Sequence, residues 1–390
     1  MSRLVLILAL ASWTSVLGLE SLPWRAEHRE ASGQRVVPIS LQNPKALLRV
    51  HVRLPATSIT ASIVVEGDRA YFGTQCFAPE ARNAIVSFDL RAGKVAWRVD
   101  LPDNTASSAT LVEDKVVFAT DRRLLVFSAK DGRLLYERPI NMVLKGRLPS
   151  PLPYGKAVVF AETDGTIHLT DLTTYNDRWT LNLSDQLSGT PSIAGNELIA
   201  LTAFGMVNRI NLAKGTVTHR FGTEQSYGPP LVYKDRIVTK SNRGRITCHE
   251  YATGRVLWAR NLDEGNGNHL VTDGRLLYTT TPGYGVWALD FQTGQTVWTT
   301  WQKTQHTVFI SSPTLLENAL LVKNNTEHLI VLDPKTGQEL RVFEDGGLSM
   351  SSPSVSESYV VWGSNVWLED QVGDDGRKMF YATLNYLPLR

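Results

Sequence analysis

The sequence predicts an all-β fold: an eight-bladed β-propeller of four-stranded antiparallel blades, closed by an N-terminal strand that completes the C-terminal blade. Three observations predict it. A marker motif, Asp-x-x-x-Gly-x-x-x-Trp in its clearest form, returns about every forty residues. Each repeat holds four short apolar runs separated by turn residues. The two chain ends hold complementary parts of one further repeat. Composition agrees: the 390 residues include 29 Gly and 18 Pro, with 43% hydrophobic and 20% charged side chains. That is ordinary globular composition, and it excludes disordered and collagen-like chains.

Residues 1–18 read as a signal peptide. Met1-Ser2-Arg3 gives a charged start, Leu4 to Ala11 an apolar core, and Val16 and Gly18 the small residues a peptidase needs. The apolar run falls short of the roughly 20 residues of a membrane span; an uncleaved anchor is the alternative. No cysteine follows the run, so anchoring through a lipidated N-terminal cysteine is not expected. Residues 19–45, with Pro23, Pro38 and Pro44, read as a linker or loosely packed arm. The propeller is assigned to residues 46–390. The chain is expected to be secreted or periplasmic, with no transmembrane span once the signal is removed.

The repeat carries the propeller. Its clearest copies are Asp89 to Gly93 to Trp97, Glu250 to Gly254 to Trp258, and Asp290 to Gly294 to Trp298. Asp333 to Gly337 keeps the turn but ends on Arg341. Ser128 to Gly132 to Tyr136 and Asn211 to Gly215 to His219 are weaker copies, and in Asp171 to Trp179 the glycine position holds Tyr175. The second repeat shows the four runs: Ala109–Val112, Lys115–Ala119, Leu124–Phe127 and Leu134–Tyr136. Short β-branched or aromatic runs between turn residues read as antiparallel strands A to D. The Asp, Asn, Ser or Glu opens the C–D turn through its side chain. The glycine supplies a positive φ. The aromatic on the outer strand D covers the seam between blades. Strand A opens on Ser150-Pro151, Thr190-Pro191, Pro229-Pro230, Ser312-Pro313 and Ser352-Pro353, where proline is tolerated.

Seven C–D turns give seven blades. Val50 to Pro55 aligns with Trp97 to Pro102, so residues 47–54 read as a lone strand D. Residues 352–356, 359–363 and 379–384 read as strands A, B and C without a D. Joining them makes an eighth blade and removes an exposed edge. A seven-bladed ring would leave these strands unpaired. On this count Cys76 and Cys248 lie in opposite blades and are not expected to be bonded, since a disulfide needs Cα atoms within about 7 Å.

This marker set, behind a signal peptide, resembles the quinoprotein-like propeller superfamily, and within it the compact BamB-like branch. The resemblance covers residues 47–387. It implies an exported, non-catalytic propeller that acts as a protein-binding scaffold in outer-membrane β-barrel assembly. It implies envelope protein partners, such as a component of that assembly, and no cofactor. The alternatives are a small pyrroloquinoline-quinone-dependent dehydrogenase, with the quinone and calcium as cofactors, and a secreted ligand- or carbohydrate-sensing propeller. The quinone enzymes of the superfamily are longer and commonly carry a vicinal cysteine pair, which this chain lacks.

The residues offer little other chemistry. No metal set is called: the eight histidines show no His-x-x-x-His spacing, and His168 and His249 fall on C strands as packed residues. Asp370 to Gly376 reads as a solvated acidic loop. No nucleophile elbow or phosphate loop occurs, and no catalytic residue is called. Lys plus Arg is 40 against 38 Asp plus Glu, too balanced for a nucleic-acid binder. The sequons at Asn182 and Asn324 matter only in a eukaryotic secretory pathway. The rim says more. B–C and D–A loops share one face, and Arg122, Arg123, Lys145, Arg147, Arg243, Arg245, Phe204 and Tyr284 fall there. The longest B–C connection, about 364–378, carries Trp367 with Glu369, Asp370, Asp374 and Asp375. Aromatic and arginine side chains dominate protein interfaces, so Trp367, Tyr284, Phe204, Arg122, Arg123 and Arg243 are the candidate partner-binding residues.

Overall fold

Six of the seven marker motifs, all but Asp89 to Gly93, close with the same backbone bond. The aspartate carboxylate accepts from the amides that follow it: Asp290 from Gln292 and Thr293, at 3.0 and 2.8 Å, and Asp333 from Lys335 and Thr336, at 2.7 and 2.9 Å. The amide at the glycine position donates back to the carbonyl that opens the turn, as in Gly294 to Asp290 at 2.8 Å. Tyr175 makes the same bond to Asp171 at 2.7 Å, at φ 59°. These bonds hold the Asp290 carboxyl below the ordinary aspartate range, with the Thr293 hydroxyl the largest cause.

The computed structural model describes residues 36–43, 50–54, 58–59, 61–75, 82–105, 107–140, 149–226, 228–262, 270–281, 285–301, 311–324, 328–345, 347–348, 351–372 and 378–389. These form eight antiparallel blades, with strands and no helices among the described residues. Blade four is representative: A Ser192–Ala194, B Glu197–Leu201, C Met206–Asn211, D Thr216–Gly222. Strand B is almost wholly buried, strand C half so, and strand D alternates between exposed and half-buried residues. The innermost strands of successive blades adjoin, and Val64–Glu66 of blade one meets Ser354–Val355 of blade eight. As expected, Val50–Leu54 pairs antiparallel with the last strand, from Val50 opposite Tyr386 to Leu54 opposite Ala382, and completes blade eight.

Hydroxyl groups stitch the throat. The Ser62 amide donates to Ser108 Oγ (3.1 Å), Ser108 to Ser150 (3.0 Å), Ser150 to Thr190 (2.9 Å) and Ser312 to Ser352 (2.9 Å), each bridging neighbouring blades. Small hydroxyl residues at the start of strand A therefore do more than fit a crowded space. They satisfy buried amides that no strand partner reaches.

The outer seams follow one rule. The Nε1–H of Trp97, Trp179, Trp258 and Trp298 donates to a carbonyl in the next blade's C–D turn: Ala129, Leu212, Phe291 and Pro334, at 3.0, 2.6, 3.1 and 3.0 Å. Trp97 and Trp258 are buried; Trp179 and Trp298 are half-buried. Each ring lies on the glycine of that next turn. A Cβ on Gly337 would come within 2.6 Å of the Trp298 ring. The glycine thus answers to the preceding tryptophan as well as to φ. Where Tyr175 replaces it, Tyr136 of the preceding blade stacks on Tyr175, with centroids 4.6 Å apart and planes 8° apart. In blade four the marker position holds His219, in the same register as the tryptophans and 3.1 Å from the Thr253 carbonyl of the next turn, and the ring over Gly254 belongs to Phe221, two residues further along.

Two segments depart from the sequence reading. Val36–Val37, assigned to a linker, pairs in parallel with Thr314–Leu316, the innermost strand of blade seven. Val37 and Leu41 are buried, and the turn Glu317-Asn318 holds residues 39–41 through four hydrogen bonds. The second departure is blade eight. Its B and C strands are Tyr359–Val372 and Lys378–Pro388, far longer than the five or six residues usual elsewhere in the ring. Most of the span read as a B–C loop is therefore strand, and Asp370 lies on a strand. The forty-residue frame made the additional residues look like a loop insertion, because it fixes strand length by analogy with the other blades.

Candidate partner-binding face

Three successive blades turn from strand B to strand C in the same way. In each, the residue that opens the turn donates its amide across it: Glu162 to Thr166, Thr202 to Met206 and Ser241 to Arg245, at 2.7, 2.9 and 2.7 Å. A glycine then closes the turn in the left-handed region: Gly165, Gly205 and Gly244, at φ 87°, 84° and 82°. At Gly205 a Cβ would strike the Thr223 carbonyl, so the backbones here approach too closely for any side chain. The residues at the three apices are Asp164, Phe204 and Arg243, and all three are exposed.

The D–A loops share this face, as expected, because the two sets of loops are hydrogen-bonded together. Ala203 donates to Gln186 (2.8 Å), Thr223 to Gly205 (2.7 Å) and Asn242 to Gln225 (2.9 Å). Phe204 is 75% exposed, although its amide is fixed to Asp185 Oδ2 at 3.2 Å. An aromatic ring held out on a rigid turn costs solvation without packing in return. Met206 beside it is also exposed. Across the seam stand Arg243 and Arg245, the latter 3.5 Å from Glu224. Asp164 escaped the sequence reading because acids in turns are commonplace; the signal was its alignment, three residues before Ile or Val and one before Gly, with Phe204 and Arg243.

The other candidates part company. Arg122 is exposed in blade two, two blades from Phe204. Arg123 opens strand C and is committed to the chain itself: its guanidinium lies 2.7 Å from Asp103, which is buried, and 2.7 Å from Glu137. These pairs hold its pKa above the ordinary arginine value. Tyr284, Lys145, Arg147, Asp374, Asp375 and Cys76 lie outside the described residues. Trp367 lies on a strand opposite Phe380, four blades from Phe204, so the two cannot share one contact patch.

Beneath the Arg243 turn lies a buried amine. Lys240 ends strand B of blade five, 2% exposed. Its Nζ donates to Thr280 O at 2.6 Å and Thr279 Oγ1 at 3.2 Å in blade six. No carboxylate pairs with it among the described residues, and burial pushes its pKa down to about 7. Lys323, at the corresponding place in blade seven, lies 3.5 Å from the fully buried Asp345.

His168 and His249 are packed, as expected, and Cys248 is buried. His168 is buried, stacked on Phe160, and hydrogen-bonded at both ring nitrogens, to Asp177 and Glu162 at 3.0 and 3.1 Å. His249 is buried, and desolvation lowers its pKa. Cys248 is a buried free thiol that burial pushes up to about 11, an unreactive state. No three His, Cys, Asp or Glu side chains gather as a metal site among the described residues, and no helix there is long and apolar enough to cross a membrane.

A family model described as outer membrane protein assembly factor BamB matches residues 22–215 and 203–344. The BamB of Yersinia pestis is 21% identical over 258 residues, covering 59% of this chain and 64% of that protein. The chain therefore spans less than two thirds of the length of the curated relatives it matches. Among solved structures, BamB from Moraxella catarrhalis superposes with a TM-score of 0.58 at 20% identity, over 72% of this chain and 95% of that one. The quinohemoprotein alcohol dehydrogenase of Comamonas testosteroni reaches 0.75 at 12% identity, over 94% of this chain and 80% of that one. Both likenesses show a shared fold.

Proposed function

The chain belongs to the family of outer membrane protein assembly factor BamB, and on that premise we propose that it is an exported accessory protein of outer-membrane protein assembly. In this reading it is a non-catalytic scaffold, without a cofactor, that holds a partner protein against its B–C and D–A face from the periplasmic side. One observation carries the reading: three successive blades present Asp164, Phe204 and Arg243 on the same rigid turn, with Phe204 75% exposed. A fixed backbone bearing an acid, an aromatic and a base in a row suits recognition of another protein, because little side-chain or loop entropy is lost on binding.

The experiment compares recovery of outer-membrane assembly proteins from envelope extracts by the wild type, Phe204→Ala and Arg243→Glu. Loss of an interface anchor costs about 2 kcal/mol or more, so recovery should fall at least tenfold while the melting temperature stays within a degree or two. Undiminished recovery by both variants refutes this face as the binding site. Adding pyrroloquinoline quinone and calcium tests the catalytic reading in parallel. Saturable binding with dye reduction by alcohols or sugars would overturn the scaffold.

A further inference from the structure

One A–B turn of the ring is built differently from the rest. In blades one to six the second residue of the C–D turn donates its amide to the A–B turn of the same blade, as Leu90 does to Asp68, Leu212 to Asn196 and Phe291 to Arg275, at 2.8, 2.8 and 2.9 Å. In blade seven that donor's place, after Asp333, is held by Pro334, which has no N–H. The turn Glu317-Asn318 is thereby released from its own blade. It also takes another shape: Glu113 and Lys234, which open the equivalent turns of blades two and five, both sit at φ 53°, and Glu317 does not enter that left-handed region. What the released turn holds is the arm.

The arm is held as a bound peptide would be. Asn318 Oδ1 accepts the Leu41 amide at 2.7 Å while its Nδ2 donates to the Leu41 carbonyl at 3.0 Å, so one side chain satisfies both backbone groups of one residue. The Glu317 amide donates to Ile39 O at 3.1 Å. Upstream, Val36–Val37 adds to the free edge of strand A, an edge that no strand joins in any other blade among the described residues. Only Val37 and Leu41, four residues apart, are buried; Pro38, Gln42 and Asn43 are exposed. The ladder stops at Pro38, after two residue pairs, against five for Val50–Leu54. Backbone bonds plus alternate apolar anchors are the means by which sheet edges bind extended segments, and nothing in this set requires the segment to be joined to the ring. We propose that the free edge of strand A in blade seven, with the turn Glu317-Asn318, is a peptide-binding site. The chain's own residues 36–41 fill it, and an extended segment of a partner protein with branched apolar residues four apart displaces them. Tethering gives the arm an effective concentration on the order of millimolar, which sets the threshold a partner must exceed. The site goes beyond the scaffold reading: it lies on blade seven, on the opposite face of the ring from Phe204.

The test uses the full chain and a fluorescent peptide with the sequence of residues 36–43, Val-Val-Pro-Ile-Ser-Leu-Gln-Asn, beside a control peptide with Asp at both anchors. Val37→Asp with Leu41→Asp empties the site without shortening the chain. Anisotropy should show the peptide binding that variant about tenfold or more tightly than it binds the wild type, where the arm competes. The control peptide should bind neither, and adding Asn318→Ala should weaken the peptide by about tenfold. Hydrogen–deuterium exchange on the wild-type chain requires no variant to fold. With the peptide at about 10 mM, above the arm's effective concentration, residues 37–41 should exchange faster while 314–318 stay protected. Equal affinity for the wild type and the emptied variant, indifference to Asn318→Ala, or an arm whose exchange the peptide leaves unchanged each overturns the proposal. So does a concentration-dependent dimer that exchanges arms, because it assigns the site to a second copy. None of these outcomes depends on Phe204 or Arg243, so this failure and failure of the scaffold reading are told apart.

Discussion

Replacing Lys240 with Met should stabilise the protein, and more so as the pH falls. The amine is 2% exposed, pairs with no carboxylate among the described residues, and titrates near 7 rather than at the ordinary 10.5. Between those pH values the unfolded chain holds a proton that the folded chain has released. Stability contributed at this site therefore rises with pH from about 7 to about 10.5, and is lowest below 7, where folding must bury a charge. The gap corresponds to about 5 kcal/mol at its greatest. Met fills similar volume but leaves Thr280 O and Thr279 Oγ1 without the amine donor, at a cost of about 1–3 kcal/mol. The expected balance is a gain of about 2–4 kcal/mol at pH 6 that vanishes or reverses by pH 10. Urea denaturation followed by circular dichroism at pH 6, 7, 8, 9 and 10 measures it. Parallel stability curves for Lys240→Met and wild type would show that Lys240 is charged at neutral pH and solvated in some other way.

Gly337→Ala should cost several kcal/mol, because a strained φ (about 1–2 kcal/mol) adds to a clash with the Trp298 ring; Gly155→Ala, at φ 57° with nothing within 4 Å of a new Cβ, should show the strain alone. In a double-mutant cycle Gly337→Ala should be partly relieved by Trp298→Ala, and strict additivity would disprove the seam rule. Trp298→Ala by itself should cost about 3 kcal/mol, the low end for a large aromatic, since the ring is half-buried. Starting the chain at Val36 should leave the melting temperature unchanged, whereas starting it at Pro44 removes buried Val37 and Leu41, each worth about 1.5–3 kcal/mol. Equal melting temperatures for those two truncations would show that the arm does not latch blade seven.

The ring was legible in the sequence because a propeller repeats itself. Asp290, Gly294 and Trp298 announce a turn and a seam each time they recur, and Val50–Leu54 declares itself by aligning with strand D of blade one. What stayed hidden depends on contacts between repeats. Gly337 looks like a φ requirement, and only the neighbouring blade shows the Trp298 ring above it. Phe221 covers Gly254 although His219 keeps the register of the seam tryptophans, and the repeat spacing points only to His219. Val36–Val37 is too short to read as a strand. Lys240 ends an apolar run, where a charged residue ordinarily marks the return to solvent, yet blade six covers it. The rim was half legible: Phe204 and Arg243 stood out by residue type, but their equivalence to Asp164 needed the turn geometry.

The division of labour within each blade explains where function can reside. The C–D turns are bound to their neighbours by Trp97, Trp179, Trp258 and Trp298, and the strand A starts by the serine and threonine chain of the throat. A change at either place is felt by two blades. The apices of the B–C turns carry no such duty. Their backbone is fixed by bonds within the turn and to the adjoining D–A loop, so side chains as unlike as those of Asp164, Phe204 and Arg243 occupy one conformation. Identity at these apices is free to follow a partner, while the turn that displays them is held by the fold. The blade-eight hairpin shares this anchoring: its base is locked to the start of blade one through Asn365 with Ser58 and Ile59. Rigidity below and freedom above are what a scaffold needs in order to hold a partner without being remodelled by it.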